Sequence, residues 1–257
     1  MGLFRRKKST NTEKWTMKTM FGPYTSFSVT EAYKLLRANI MFSFSDEGRG
    51  HVVGVTSSVQ SEGKSTTACN TAYALSEAGA KVLLIDGDLR RPSIAFKLGL
   101  SRTPGLTNLL ISKGDYREVV QRCDAAPKLD VLCSGDIPPN PSELLSSNRM
   151  AKLIEELTAH YDYIIVDLPP VTVVSDAIAV SKLLDGVAMV VRNGVSDQKM
   201  LAEALRQLKL VDVRILGFVY RDSVAPGKKY GYGKKYGYKY KKYYKYSNDY
   251  AKKAQGQ

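Results

Sequence analysis

Two short runs, Val82-Leu83-Leu84-Ile85 and Tyr163-Ile164-Ile165-Val166, are continuously apolar where a strand with one wet face would alternate. A strand needs that pattern only when both of its faces are covered, so these runs direct the chain towards a parallel sheet sandwiched by helices. Further β-branched runs at 51–56, 81–86, 129–133, 163–167, 186–192 and 214–220 predict strands. Helix-length stretches at 64–77, 92–98, 142–160, 175–184 and 196–210 fall between them, and 29–43 precedes them, with Leu35, Leu36, Ile40 and Met41 on one side. The expectation is an α/β fold with a mostly parallel sheet and helices on both faces. In such a sheet, ligands bind at the carboxyl ends of the strands.

The net charge of +13 suggests nucleic acid until it is located. Residues 226–257 carry +9 and residues 1–20 carry +5, which leaves the body between them close to neutral. Three regions follow: a basic N-terminal segment 1–28, a body 29–225, and a Lys/Tyr/Gly-rich tail 226–257. The tail has no aliphatic residue larger than Ala, so burial cannot offset its ordering entropy and it is expected to be disordered. No apolar run reaches the roughly 18–20 residues that cross a bilayer. Arg5-Arg6-Lys7-Lys8 is not followed by the apolar stretch of a signal peptide, so a cytoplasmic location is expected. Cys69, Cys123 and Cys133 are widely spaced, form no C-x-x-C pair, and read as buried, inert thiols.

The first predicted strand runs into Ser58-Val59-Gln60-Ser61-Glu62-Gly63-Lys64-Ser65-Thr66 and then a helix, the setting of a Walker A phosphate loop. Gly63 permits the turn that brings amides around phosphate oxygens, Lys64 reaches the β- and γ-phosphates, and Ser65 suits Mg²⁺. Ser58 stands where the pattern has its first Gly. A second apolar strand ends in Asp86-Gly87-Asp88-Leu89-Arg90-Arg91-Pro92 and a third in Asp167-Leu168-Pro169-Pro170. Parallel strands deliver these carboxylates to the same crevice as the loop. Singly, each Asp also reads as a helix cap.

These three segments, with Pro138-Pro139-Asn140-Pro141-Ser142-Glu143-Leu144-Leu145 and the tyrosine-rich tail, resemble the bacterial tyrosine kinases of capsule and exopolysaccharide loci. That family lies in the same P-loop branch as the MinD and ParA ATPases, and the likeness runs from about Glu31 to the end. The resemblance implies a P-loop NTPase sheet that binds ATP and Mg²⁺. It implies nucleotide contacts from Ser58, Ser61, Glu62, Gly63, Lys64, Ser65 and Thr66, and metal contacts from Ser65, Asp88 and Asp167. It makes Lys64, Asp86 and Asp88 catalytic, with Asp86 chosen as the base for the tyrosine hydroxyl; spacing alone does not separate it from Asp88. Ser61 stands where the family often has Gly, Val59 where MinD and ParA carry a second lysine, and Arg221 where an Asn usually lies near the adenine.

Glu31, Lys34 and Arg37 resemble the family's E-x-x-R-x-x-R interface motif and predict homo-oligomer contacts through the first helix, against the plainer reading of a solvated face. Tyr230, Tyr232, Tyr236, Tyr238, Tyr240, Tyr243, Tyr244, Tyr246 and Tyr250 are the expected autophosphorylation sites. The partners implied are a membrane-embedded polysaccharide co-polymerase that activates the kinase at the inner face of the plasma membrane, and a tyrosine phosphatase; no specific nucleic acid is implied. Two other classes fit parts of the sequence: a MinD/ParA-like positional ATPase, which needs no tyrosine cluster, and a nucleic-acid or membrane module built on the basic ends.

Overall fold

The computed structural model describes residues 25–44, 48–112, 114–124, 126 and 128–222. The basic N-terminal segment through residue 24, the tail and its nine tyrosines lie outside the described residues. The first helix, α1 (Phe27–Phe42), precedes a seven-stranded sheet built from β1 (His51–Ser57), β2 (Val82–Asp86), β3 (Gln121–Arg122), β4 (Leu129–Leu132), β5 (Tyr163–Asp167), β6 (Gly186–Arg192) and β7 (Ile215–Arg221). Their spatial order is β3-β4-β2-β5-β1-β6-β7, and every pairing is parallel except β3 with β4.

The continuous apolar runs are explained by two cores, one on each face. Leu83, Ile85, Ile164 and Val166 belong to one cluster, whereas Val82, Leu84 and Ile165 belong to the other. Successive side chains of a strand point to opposite faces, so each run feeds both cores. The first core is closed by α4 (Leu106–Ser112), α5 (Pro141–Leu145), α6 (Asn148–Thr158), α7 (Asp176–Val180) and α8 (Gln198–Leu210). The second is closed by α2 (Lys64–Glu77), α3 (Ile94–Leu98) and α1. In α6, Met150, Leu153, Ile154 and Leu157 repeat at helical spacing and are buried. Each such side chain contributes about 1.5–3 kcal/mol by leaving water.

Several expected elements differ in detail. The helix expected over 142–160 is two helices. Pro141 starts α5, and Ser147 starts α6 by accepting a hydrogen bond from the Met150 amide. The helix expected over 175–184 ends as α7 at Val180 and tightens into a 3₁₀ turn over Ser181–Leu183. Neither α4 nor β3 is anticipated by the apolar patterns. In α1 the expected apolar side divides: Ile40 is buried and Leu36 packs on the core, while Leu35 and Met41 are exposed. The helix packs chiefly against α2, so only a narrow stripe of it is covered.

Candidate active site

The Walker A segment leaves β1 and enters α2 at Gly63, whose φ of 94° is left-handed and suits glycine. Ser61, at φ 65°, takes a left-handed conformation that strains a side-chain-bearing residue. The structure thus supplies the physical reason for glycine to be favoured there. The amides of Glu62 through Thr66 donate to no backbone carbonyl among the described residues; the first bond of the helix runs from the Thr67 amide to the Gly63 carbonyl. Undonated amides at a helix N-terminus form an anion cradle.

The loop is held from below. The buried Glu62 carboxylate accepts from the Val59 amide at 2.7 Å, from the Ser58 hydroxyl at 3.1 Å, and from the Ser196 hydroxyl. Glu62 therefore shapes the loop from inside. Ser58, replacing glycine, ties to Glu62, and its carbonyl accepts from the Thr172 hydroxyl at 2.7 Å. Arg192 donates to the Ser61 carbonyl at 2.8 Å, and Arg221 to the Gly63 carbonyl at 3.2 Å.

The acids stand beside the cradle. Asp86 and Asp167 are register partners at the ends of β2 and β5. Gly87 then passes so close to Asp167 that a Cβ there would lie 2.9 Å from the Asp167 carbonyl oxygen. Lys64 Nζ lies 2.7 Å from Asp88 and 3.8 Å from Asp167. Asp88 uses its other oxygen to accept from the Arg91 amide at 3.0 Å. Asp86 accepts through one oxygen from the Ser93 and Ile94 amides, which moves the start of α3 to Ile94 from the Pro92 expected. Its other oxygen is buried without a partner, as are both oxygens of Asp167 at good hydrogen-bond geometry.

Electrostatics follow from this crowding. Burial, then the neighbouring Asp167 charge, pushes Asp86 up to about 7. Burial pushes Asp167 up to about 6, although Lys64 and the Ser65 hydroxyl favour its charged form. Burial works against the Lys64 charge, but Asp167, Asp88 and Asp86 outweigh it and hold its pKa above the usual lysine value. Asp167, beside the Ser65 hydroxyl and 3.8 Å from Lys64 Nζ, offers oxygens of the kind a hard divalent cation accepts, with water completing the cation's shell.

The structure therefore brings Ser58, Ser61, Glu62, Gly63, Lys64, Ser65, Thr66, Asp86, Asp88 and Asp167 into one crevice. Two of these have jobs that spacing does not disclose: Glu62 braces the loop, and Asp88 holds Lys64. Glu31, Lys34 and Arg37 lie away from it on α1. Glu31 and Lys34 pair with each other at 2.9 Å, while Arg37 donates to the Ala74 carbonyl at 3.0 Å and pins α1 to α2. The buried thiols match expectation: burial raises Cys69 and pushes Cys133 up to about 12.

A family model described as an AAA domain matches residues 53–208. The tyrosine-protein kinase YwqD of Bacillus subtilis is 40% identical over 204 residues, covering 79% of this chain and 85% of that protein. The chain belongs to the bacterial tyrosine-protein kinase family. Among solved structures, the chimerical protein CapA2B2 superposes with a TM-score of 0.74 at 32% identity, covering 82% of this chain and 90% of that one. The kinase domain of the Escherichia coli tyrosine kinase ETK gives 0.71 at 31% identity, covering 79% and 80%.

Within this kinase fold, sequence reading misses a second layer of residues. Buried Asp176 receives Arg90 Nε at 2.8 Å and Nη2 at 3.1 Å, and the Ser142 hydroxyl also donates to it. One carboxylate thereby joins the loops after β2, β4 and β5, and the Pro138–Leu145 stretch of the family resemblance is drawn to the crevice. A lone Asp opening a helix carries no signal of that role. Arg192 and Ser196 are equally silent in sequence, whereas Arg221 is visible only as a departure from the family pattern.

Proposed function

We propose that this chain is an ATP-dependent protein-tyrosine kinase that phosphorylates tyrosines of its own 226–257 segment and regulates capsular or extracellular polysaccharide synthesis or export. The observation that carries the reading is the pairing of an amide cradle with Asp86, a buried carboxylate pushed up to about 7 and keeping one oxygen unpartnered. A base works best with a pKa near the operating pH, and tyrosine, with a pKa near 10, needs help to lose its proton.

In this reading the amides of Glu62–Thr66 orient the triphosphate, and Lys64 leaves Asp88 for the transferring phosphoryl group. Asp86 Oδ1 accepts the tyrosine hydroxyl proton as the phenolic oxygen bonds to phosphorus and the bond to ADP breaks. Asp88 is the weaker choice of base because one oxygen holds the Arg91 amide and the one that Lys64 leaves would face Mg²⁺. Ser65 and Asp167, with Asp88 beside them, would hold Mg²⁺, which when bound supplies charge neutralisation for the phosphates. Ser65 holds its hydroxyl toward Asp167, and both are largely shielded from solvent.

Partner and assembly belong to the same proposal. No helix among the described residues is long and apolar enough to cross a membrane. A membrane-embedded co-polymerase would hold the kinase at the inner leaflet, aided by Arg5–Lys8. The exposed side of α1, with Glu31, Lys34, Leu35 and Phe42, supports homo-oligomer contacts. Nine phosphates would add about −14 to −18 charges to a +9 tail and loosen that assembly, leaving a phosphatase to reset it.

The test incubates purified protein with ATP, Mg²⁺ and the partner's cytoplasmic segment, then maps phosphorylated residues by mass spectrometry. A variant with all nine tail tyrosines changed to Phe is run in parallel. Phosphate on the tail of the wild type, and its loss in the variant, supports the reading. ATP hydrolysis without tyrosine phosphorylation would favour the positional ATPase.

A further inference from the structure

Three consecutive residues of the phosphate loop are each gripped by a side chain from the β6–β7 side of the sheet. The Ser61 carbonyl accepts from Arg192 at 2.8 Å, the Glu62 carboxylate accepts from the Ser196 hydroxyl, and the Gly63 carbonyl accepts from Arg221 at 3.2 Å. Both arginines are partly buried and stand at the carboxyl ends of β6 and β7. The Ser196 hydroxyl also accepts from the Arg192 amide at 2.7 Å, which joins the first two grips.

The two arginine contacts have a directional consequence. The peptide groups after Ser61 and Gly63 are trans, so each N–H points opposite to its carbonyl. A guanidinium holding the Ser61 carbonyl turns the Glu62 amide the other way, and one holding the Gly63 carbonyl does the same for the Lys64 amide. Neither amide has a backbone acceptor among the described residues. The charge on each arginine also polarises the peptide it touches, making the opposite amide a better donor to an anion. The Ser61 conformation, at φ 65°, does not hold itself without cost, and Arg192 opposes its relaxation.

Gly63 is shaped to admit this contact. A Cβ built there would lie 1.5 Å from Arg221 Nη1, so a side chain at 63 would expel the guanidinium. The requirement for glycine thus has two sources, the φ of 94° and the approach of Arg221.

We infer that Arg192 and Arg221 are positioning residues for nucleotide phosphate, a two-arginine brace that keeps the Glu62 and Lys64 amides turned into the cradle. The inference rests on the nucleotide-binding reading above. The brace acts on the phosphates common to ADP and ATP, so it sets affinity for both alike and leaves the acids at β2 and β5 to govern transfer.

The test measures Mg-ADP and Mg-ATP dissociation constants by calorimetry for full-length wild type, Arg192→Ala, Arg221→Ala and the double variant. Arg192→Lys and Arg221→Lys keep the charge without the planar fork, and they stand in should an alanine variant melt early. Each alanine variant should weaken both nucleotides about tenfold, and the double variant by more. Both lysine variants should recover part of the loss, and raised salt should shrink the differences. In tyrosine phosphorylation the effect should fall mainly on KM for ATP rather than on kcat. If wild type binds Mg-ADP and the alanine variants bind it equally well, the brace is wrong while the nucleotide-binding reading stands. Tighter binding by Arg221→Ala would make that arginine a plug and overturn the brace as well. A wild type that binds neither nucleotide ends both readings.

Discussion

The two halves of the crevice are built to opposite rules. On the β1, β6 and β7 side, the loop's own acid and carbonyls are occupied: Glu62 takes three donors, and the carbonyls of Ser58, Ser61 and Gly63 each take a side chain. On the β2 and β5 side, Asp86 keeps one buried oxygen without a hydrogen bond, Asp167 is held only loosely by Ser65 and by Lys64 at 3.8 Å, and one lysine serves three acids. The first half is finished before any ligand arrives. The second is left electrostatically incomplete, because burying charge without partners is unfavourable and only a proton or a ligand relieves it. Hydrogen bonds are concentrated around the amide cradle, and unsatisfied charge beside the acids at the ends of β2 and β5.

The largest break in that contrast should come from Lys64→Met. It removes the cation that both halves share, so phosphoryl transfer should fall by at least about 10²- to 10³-fold while circular dichroism stays native. Retention of near-wild-type labelling would contradict the assignment of the loop.

Next come the acids, which should separate by role. Asp86→Asn should keep Mg-nucleotide binding but lose about 10²- to 10⁴-fold in transfer, the range of a lost general base. Asp167→Asn should instead weaken Mg²⁺-dependent binding in a nucleotide titration. Exchange of these two phenotypes would exchange the roles.

A smaller effect concerns pH. Asp86 and Asp167 titrate higher in the folded chain than the usual 3.8, at about 7 and about 6. The folded state therefore binds more protons than the unfolded state between about pH 4 and 7. Nucleotide-free stability should fall as pH rises through that window and level off above it. Melting temperature should follow, by roughly 2–4 °C per kcal/mol in a domain of this size. Mg-nucleotide should reverse the slope, because binding favours the charged acids. A flat nucleotide-free profile would show that the acid half is not frustrated.

The smallest expected change tests the finished half. Ser61→Gly removes the cost of a left-handed conformation and should raise stability by about 1 kcal/mol, read by chemical denaturation, with nucleotide affinity held by the arginine brace. A loss of stability would mean that the serine side chain contributes more than its backbone costs.

Much of this molecule is legible in the chain itself. The runs at Val82–Asp86 and Tyr163–Asp167 imply strands covered twice, because no half-wet strand tolerates consecutive Leu, Ile and Val. The acids closing β2 and β5 follow from local chemistry at strand ends, and the Gly63-Lys64-Ser65 turn from its place at a helix start. What escaped was non-local. The break at Ser146–Ser147 depends on a cap that competes with helix continuation, and either outcome suits the same apolar spacing. Arg37 reads as a surface charge until α2 offers it the Ala74 carbonyl. Asp176 looks like any acid opening a helix until Arg90, 86 residues away in the chain, reaches it. Local pattern and strand chemistry determined which residues enter the crevice. Only the tertiary structure decided which oxygens find partners there and which remain bare, because partners far apart in the chain meet only when the sheet brings strand ends together.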